Sequence, residues 1–200
     1  INQLDYIFLV YGLALILIAV TTQVLDRTDS GPIHWRYLSL FGFIYALSEW
    51  LYMLSLSQGA DGALAIIGLS LRSISYLLLI EFGRLSHRGS LGSRKGYLIY
   101  LLLLPLSAIG FFVDISGFDA TIRCSLCLGG AWLSSHAFWS LWKEQTYQNH
   151  SPALLLCAVA LLVCGLVAES VVPGALLFSL STIGEQNSDW IYGVVIAFLR

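Results

Sequence analysis

Five charged side chains lie inside long apolar segments of this sequence, namely Glu49, Arg72, Arg123, Glu169 and Arg200. A charge within membrane hydrocarbon is costly, and it usually faces a protein interior, a partner or water. Guanidinium groups bind carboxylates and phosphates through charged hydrogen bonds, so these residues indicate recognition of an anion. The sequence shows no catalytic triad, no carboxylate pair at catalytic spacing and no H-E-x-x-H zinc helix. We therefore predict no catalytic residue and no metal site, and we do not expect this chain to be an enzyme.

The five charges fall at comparable depths on five different predicted helices. With a rise of about 1.5 Å per residue, Glu49 lies roughly 10 Å below the outer end of its helix and Arg72 roughly 14 Å below. Arg200 lies roughly 15 Å deep if the last apolar segment begins a helix. Arg123 and Glu169 lie nearer the outer ends of their helices. All five charges are therefore predicted to lie in the outer half of the bilayer.

Aromatic side chains complete the candidate site. Helical spacing places Tyr45 and Tyr52 on the face that carries Glu49. Arg72 and Arg200 are predicted to hold an anion, while Glu49 orients Arg72 or accepts a hydrogen bond from the ligand. The predicted ligand-binding residues are Glu49, Arg72, Arg200, Trp50, Tyr45, Tyr52, Tyr76, Trp132, Glu169 and Arg123.

A purely structural explanation remains open for part of this pattern. Glu49 and Arg72 are expected to lie close enough for a salt bridge, with glycines packing the bundle. Three arginines against two glutamates, however, leave one buried arginine without a carboxylate. Such a group needs an anion, a carbonyl or water, and this excess favours a binding site.

The segments that position these residues are long apolar blocks. Hydrophobic residues make up 58% of the 200 residues and charged residues 11%, against about a quarter charged in a soluble domain. Because about 20 apolar residues span the hydrocarbon as a helix, six blocks qualify as spans. They are Tyr6–Leu25, Trp35–Leu56, Ala63–Phe82, Tyr97–Val113, Ala120–Trp142 and Pro152–Val172. A seventh block begins at Trp190. We predict one all-α membrane domain over residues 1–200, a polytopic bundle of seven transmembrane helices with the seventh truncated.

Basic residues predict the orientation of the bundle, since Lys and Arg near span ends favour the cytoplasm. The odd-numbered loops carry Arg27, Arg36, Arg84, Arg88, Arg94, Lys95 and Lys143, whereas Arg123 is alone on the other side. The N-terminus is therefore predicted outside and the C-terminus in the cytoplasm. A net charge of −2, without a basic patch interleaved with aromatic residues, predicts no nucleic-acid partner. The lipid bilayer is the expected environment.

Histidines and cysteines offer two alternatives to ligand sensing. Haem ligation needs two histidines at one depth, and of the four only His136 lies well inside a span, so we predict no cofactor. Cys124 and Cys127 form a C-x-x-C pair beside Arg123, which a thiol–quinone oxidoreductase would use. Such an enzyme needs a second cysteine pair to pass electrons, and Cys157 and Cys164 lie two helical turns apart. Packing of small hydrophobic side chains is the competing explanation for all four.

Three segments resemble the N-terminal membrane modules of some bacterial sensor histidine kinases and diguanylate cyclases. Phe41-Gly42 followed by Glu49-Trp50 is similar to the family signature F-G-L-x-H-G-L-x-E-W. LRSISYLLLIEFGRL (71–85) resembles its third span with L-x-E-F-G-R, and YGVVIAFLR (192–200) resembles T-G-x-P-V-Q-L-L-R. The family's histidine is Tyr45 here, and the proline is absent. The resemblance implies a seven-helix sensory module in the bacterial inner membrane, upstream of a cytoplasmic output domain.

We therefore predict a sensor module that binds a small, amphipathic or anionic ligand and signals through the seventh helix, as a homodimer formed by downstream segments. The thiol–quinone oxidoreductase is the alternative from the enzyme class. A secondary transporter ranks last, because the sequence has no internal repeat and no pair of Pro/Gly-interrupted helices. The coding sequence beyond Arg200 discriminates among these: a kinase or GGDEF domain there would support the sensor.

Overall fold

A computed structural model describes residues 3–28, 33–58, 62–87, 94–108, 119, 121–143 and 151–170. These residues form six α-helices, and no strand occurs among them. The helices are α1 (Gln3–Thr28), α2 (Trp35–Gln58), α3 (Gly62–Ser86), α4 (Leu98–Ala108), α5 (Leu128–Lys143) and α6 (Ser151–Ser170). A 3₁₀ turn (Arg94–Tyr97) precedes α4, and a π-helical turn (Arg123–Cys127) leads into α5. The predicted all-α class is confirmed.

Three helices are long and apolar enough to cross a membrane, over Phe8–Thr28, Trp35–Ser55 and Ile66–Ser86. They coincide with the first three predicted spans. Leu98–Ala108 and Pro152–Gly165 are shorter apolar helices, so spans four, five and six stay predictions. The predicted seventh span and Arg200 lie outside the described residues.

The outer surface of the helices is strongly apolar, as a lipid environment requires. Leu17, Leu101 and Leu156 each expose about 70% of their surface, and many other large apolar side chains are also exposed. A soluble monomer rarely displays apolar patches on this scale. Together with the three apolar helices, this surface identifies a membrane protein.

Small residues hold neighbouring helices close together. Between α1 and α2, the Ser39 hydroxyl donates to the Ala19 carbonyl at 2.8 Å, and an added Cβ on Gly42 would lie 3.2 Å from the Ala19 Cβ. Between α3 and α5, the Ser134 hydroxyl donates to the Leu79 carbonyl at 3.1 Å. In a bilayer, helix association depends on such close packing and interhelical hydrogen bonds, because lipid tails are as apolar as the helices.

The interior divides into two apolar clusters along the bundle, which we call inner and outer after the predicted orientation. The inner cluster contains Ile33, Trp35, Leu38, Leu79, Phe82, Phe138, Leu141, Leu154 and Ala158. The outer cluster contains Leu15, Tyr45, Ala46, Tyr76, Ile80, Ile122, Leu126 and Cys127. Along α2 and α3, Glu49 and Arg72 follow one turn beyond Tyr45 and Tyr76 toward the predicted outer end. The outer apolar cluster therefore lies about one helical turn from these two charged residues.

Candidate functional site

Four charged side chains form a continuous ionic chain, which we call the charged cluster: Glu49, Arg72, Asp119 and Arg123. Arg72 donates from Nη2 to Glu49 Oε1 at 3.3 Å and from Nη1 to Asp119 Oδ1 at 3.1 Å. Arg123 donates from Nε and Nη2 to Asp119 Oδ2 at 3.0 and 2.8 Å. The charges alternate in sign along the chain and balance to zero. The predicted contact between Glu49 and Arg72 is therefore present, within a larger network.

Three segments contribute to the charged cluster. Glu49 lies on α2 and Arg72 on α3, the pair of long helices that run antiparallel to each other. Asp119 and Arg123 precede α5 and lie four residues apart, the spacing at which helical side chains meet. Arg123 also begins the π-helical turn, where the Leu128 N–H bonds back to the Arg123 carbonyl. Turns of this kind are frequent at functional sites, since they displace side chains from regular helical positions.

Burial differs along the charged cluster. The side chains of Glu49 and Arg72 expose only 7% and 5% of their surface, whereas those of Asp119 and Arg123 expose 28% and 20%. Buried ion pairs repay their desolvation cost only with good geometry and additional hydrogen bonds. The Glu49–Arg72 end is thus the desolvated end, and the Asp119–Arg123 end is the accessible one.

Aromatic rings surround the buried end of the cluster. The Tyr45 and Tyr76 rings lie 5.5 Å apart, and the Tyr76 hydroxyl contacts the Tyr45 hydroxyl at 3.4 Å. Phe41 stacks on Tyr45 at 5.6 Å, and the Arg72 guanidinium lies 5.5 Å from the centre of the Tyr52 ring. A cation over an aromatic face gains electrostatic stabilisation. Tyr45, Tyr52 and Tyr76 therefore lie beside the charges, as the helical spacing predicts.

Two buried donors at the site have no hydrogen-bond partner among the described residues: Arg72 Nε and Trp50 Nε1. Trp50 lies against Gly12 of α1, where an added Cβ would collide with the indole. Unsatisfied buried donors each carry a desolvation penalty of about 1–3 kcal/mol and are rare in native proteins. Arg72 Nε therefore marks a position at which a polar ligand atom would gain a hydrogen bond, whereas Trp50 Nε1 is packed against Gly12.

Of the remaining predicted site residues, Trp132 does not join the cluster. The Trp132 side chain is 64% exposed on the surface of α5. Glu169 lies in α6, but its side chain, like the whole of Arg200, lies outside the described residues. Their role in the site stays a prediction.

Asp119 was not among the predicted site residues, because it lies just outside the apolar block Ala120–Trp142. It supplies a second carboxylate, so the arginine excess that we expected does not exist within the described cluster. The signal in the sequence was the i, i+4 spacing of Asp119 and Arg123. That spacing predicts a helical ion pair.

The opposite end of the bundle holds a second polar group. Glu81 accepts hydrogen bonds from Arg84 Nε at 2.8 Å and from the Tyr100 hydroxyl, and it borders an open groove lined mainly by α4. Nearby, the His87 and His136 rings stack in parallel with centroids 4.9 Å apart. Burial and the neighbouring His136 lower the pKa of His87 from its usual value. The two rings contact each other directly, which is not the arrangement in which two histidines flank an iron atom.

The second cysteine pair cannot form a disulfide within α6. Cys157 and Cys164 are both exposed on α6. Seven residues of helix separate their Cα atoms by about 10 Å, beyond the roughly 4.4–6.8 Å of a disulfide. This geometry does not favour the oxidoreductase alternative.

Comparison with known proteins adds no assignment to this geometry: no protein-family model, no curated protein and no solved structure matches the chain.

Proposed function

We propose that this chain is the sensory input module of a membrane signalling protein, with a ligand site at the charged cluster. It binds a small amphipathic or anionic ligand in the outer half of a seven-helix bundle. Its N-terminus lies outside the bacterial inner membrane, and its output is a cytoplasmic histidine kinase or diguanylate cyclase. The observation that carries the proposal is the position of Arg72, which is 4% exposed and is shared by carboxylates from two different segments.

Because Arg72 contacts two segments, a ligand that binds Arg72 can change how the helices are arranged. Its guanidinium ties α3 both to Glu49 on α2 and to Asp119 before α5. A ligand that competes for these donors changes which neighbour α3 is tied to. Signalling requires that the ligand bind one helix arrangement better than another, since equal binding to both shifts nothing. The resemblance to sensor kinase and cyclase modules, through Glu49-Trp50 and the E-F-G-R segment, supports the same proposal.

The test is ligand-dependent stabilisation of the full-length protein in lipid nanodiscs. A ligand at about 100 times its Kd adds about 2.7 kcal/mol to the free energy of unfolding, which raises the unfolding temperature. We expect at least one amphiphile from a panel of carboxylates, phosphates and alcohols to give such a shift. The Arg72→Gln variant should lose the shift.

The matched control is Arg84→Gln. Arg84 is equally buried, at 3% exposed, but it pairs with Glu81 at the other end of the bundle. This variant should keep the ligand-dependent shift. If no amphiphile stabilises the wild type, or if both variants lose the shift alike, the proposed site is wrong.

The thiol–quinone oxidoreductase stays the alternative, and a cysteine variant separates it from the sensor. The Cys124→Ser, Cys127→Ser double variant should retain full ligand response, because sulfur-to-oxygen exchange preserves most of the packing volume. Thiol chemistry would be abolished by the same change. The response of the folded double variant is therefore the measurement, and complete loss would transfer support to the oxidoreductase.

A further inference from the structure

Asp119 bridges two arginines with one carboxylate oxygen for each. Its Oδ1 accepts from Arg72 at 3.1 Å, and its Oδ2 accepts from Arg123 at 2.8 and 3.0 Å. Arg72 Nε, beside these contacts, is buried and has no partner among the described residues. The two guanidinium groups therefore form a cradle for a carboxylate, and this cradle offers one more buried donor than Asp119 uses.

Asp119 is also the member of the charged cluster that is easiest to replace. Its side chain is 28% exposed, against 7% for Glu49, which binds the same arginine. It lies on the segment before α5, whereas the arginine that it shares with Glu49 is fixed on α3. Glu49, at the desolvated end, would remain in place if Asp119 left.

We propose that Asp119 occupies the position of the ligand's head group, and that a carboxylate-bearing amphiphile displaces it from Arg72 and Arg123. This inference rests on the proposed ligand site and names its ligand class and its switch. A carboxylate fits because its two oxygens reproduce the contacts of Asp119, one to each arginine. An apolar tail fits because the Tyr52 ring, 5.5 Å from the Arg72 guanidinium and 39% exposed, offers it an apolar surface beside the cluster. Displacement releases the segment before α5 from α3.

The probe is laurate, measured by calorimetric titration of the full-length protein in nanodiscs. If the cradle is free of Asp119 in about a tenth of molecules, the apparent Kd is raised about tenfold by this competition. Asp119→Asn should remove the competing charge and lower the laurate Kd by about that factor. Lauryl alcohol, which lacks the carboxylate, should bind the wild type and Asp119→Asn equally. Arg123→Gln should weaken laurate binding in both backgrounds.

Glu81→Gln is the matched control, since it also removes the carboxylate partner of a buried arginine, Arg84. It should leave the laurate Kd unchanged. If Asp119→Asn does not fold, a labelling experiment that keeps Asp119 gives a second readout. In a background without native cysteines, laurate should speed thiol labelling of Ile122→Cys, because this side chain is 1% exposed and becomes accessible when the segment is released.

The outcomes separate this inference from the proposed function. Equal laurate affinity in wild type and Asp119→Asn, or laurate-independent labelling at residue 122, overturns the displacement by carboxylate but leaves a ligand site at Arg72 intact. Loss of every amphiphile-dependent shift, with laurate included, overturns both.

Discussion

Replacing Arg72 by glutamine is expected to lower the free energy of unfolding by about 3–5 kcal/mol, the usual cost of removing one partner from a buried ion pair. Glu49, whose side chain is 7% exposed, loses the partner that it has among the described residues. Asp119 suffers less, because Arg123 still donates two hydrogen bonds to it. Reversible unfolding of the full-length protein in mixed micelles measures this loss.

Glu49→Gln provides the comparison, and its effect should be smaller than that of Arg72→Gln. Arg72 keeps the Asp119 carboxylate when Glu49 is neutralised, and glutamine retains an acceptor oxygen. An isolated Glu49–Arg72 pair would make the two variants comparably harmful. The charged cluster shown by the structure makes them unequal, and equal losses for the two variants would contradict it.

The second large effect is expected at Gly83, where α3 meets α5. An added Cβ would lie 2.7 Å from the backbone of Leu133 and Ser134, so the helices must separate to admit it. Overpacking of this kind costs about 1–3 kcal/mol, and a rigid backbone leaves no side chain to rotate away. Gly83→Ala should therefore be destabilising in the same unfolding measurement, although alanine is the better helix former.

Gly68→Ala on the same helix is the control. An added Cβ there would lie 3.8 Å from the Ser48 carbonyl, an ordinary contact. This variant should be neutral or slightly stabilising, since alanine favours a helix over glycine by up to about 1 kcal/mol. Equal stability for the Gly83 and Gly68 variants would show that the α3–α5 contact is looser than described.

The helices could be predicted from the sequence because long apolar blocks admit few other structures in a membrane. The pairing of Glu49 with Arg72 was predictable for the same reason, since antiparallel helices of known depth bring such residues to one level. Asp119 was not predictable as a third partner. Its contact depends on how the segment before α5 approaches α3, and no local pattern in the sequence specifies that approach. The direct contact of Trp50 with Gly12 likewise depends on the rotation of α1 against α2.

The charged cluster is proposed to bind the ligand, and not only to stabilise the helix bundle. The measurement that tests it most directly is a double-variant cycle of Glu49→Gln and Arg72→Gln, with stability and signalling output both recorded on the full-length protein in native lipid. Neutralising both partners removes the uncompensated buried charge, so the double variant should recover most of the stability lost by Arg72→Gln. It should not recover the ligand response, because the anion-binding guanidinium is gone. Restoration of both stability and response would contradict the account, since Glu49 and Arg72 would then be a structural salt bridge alone.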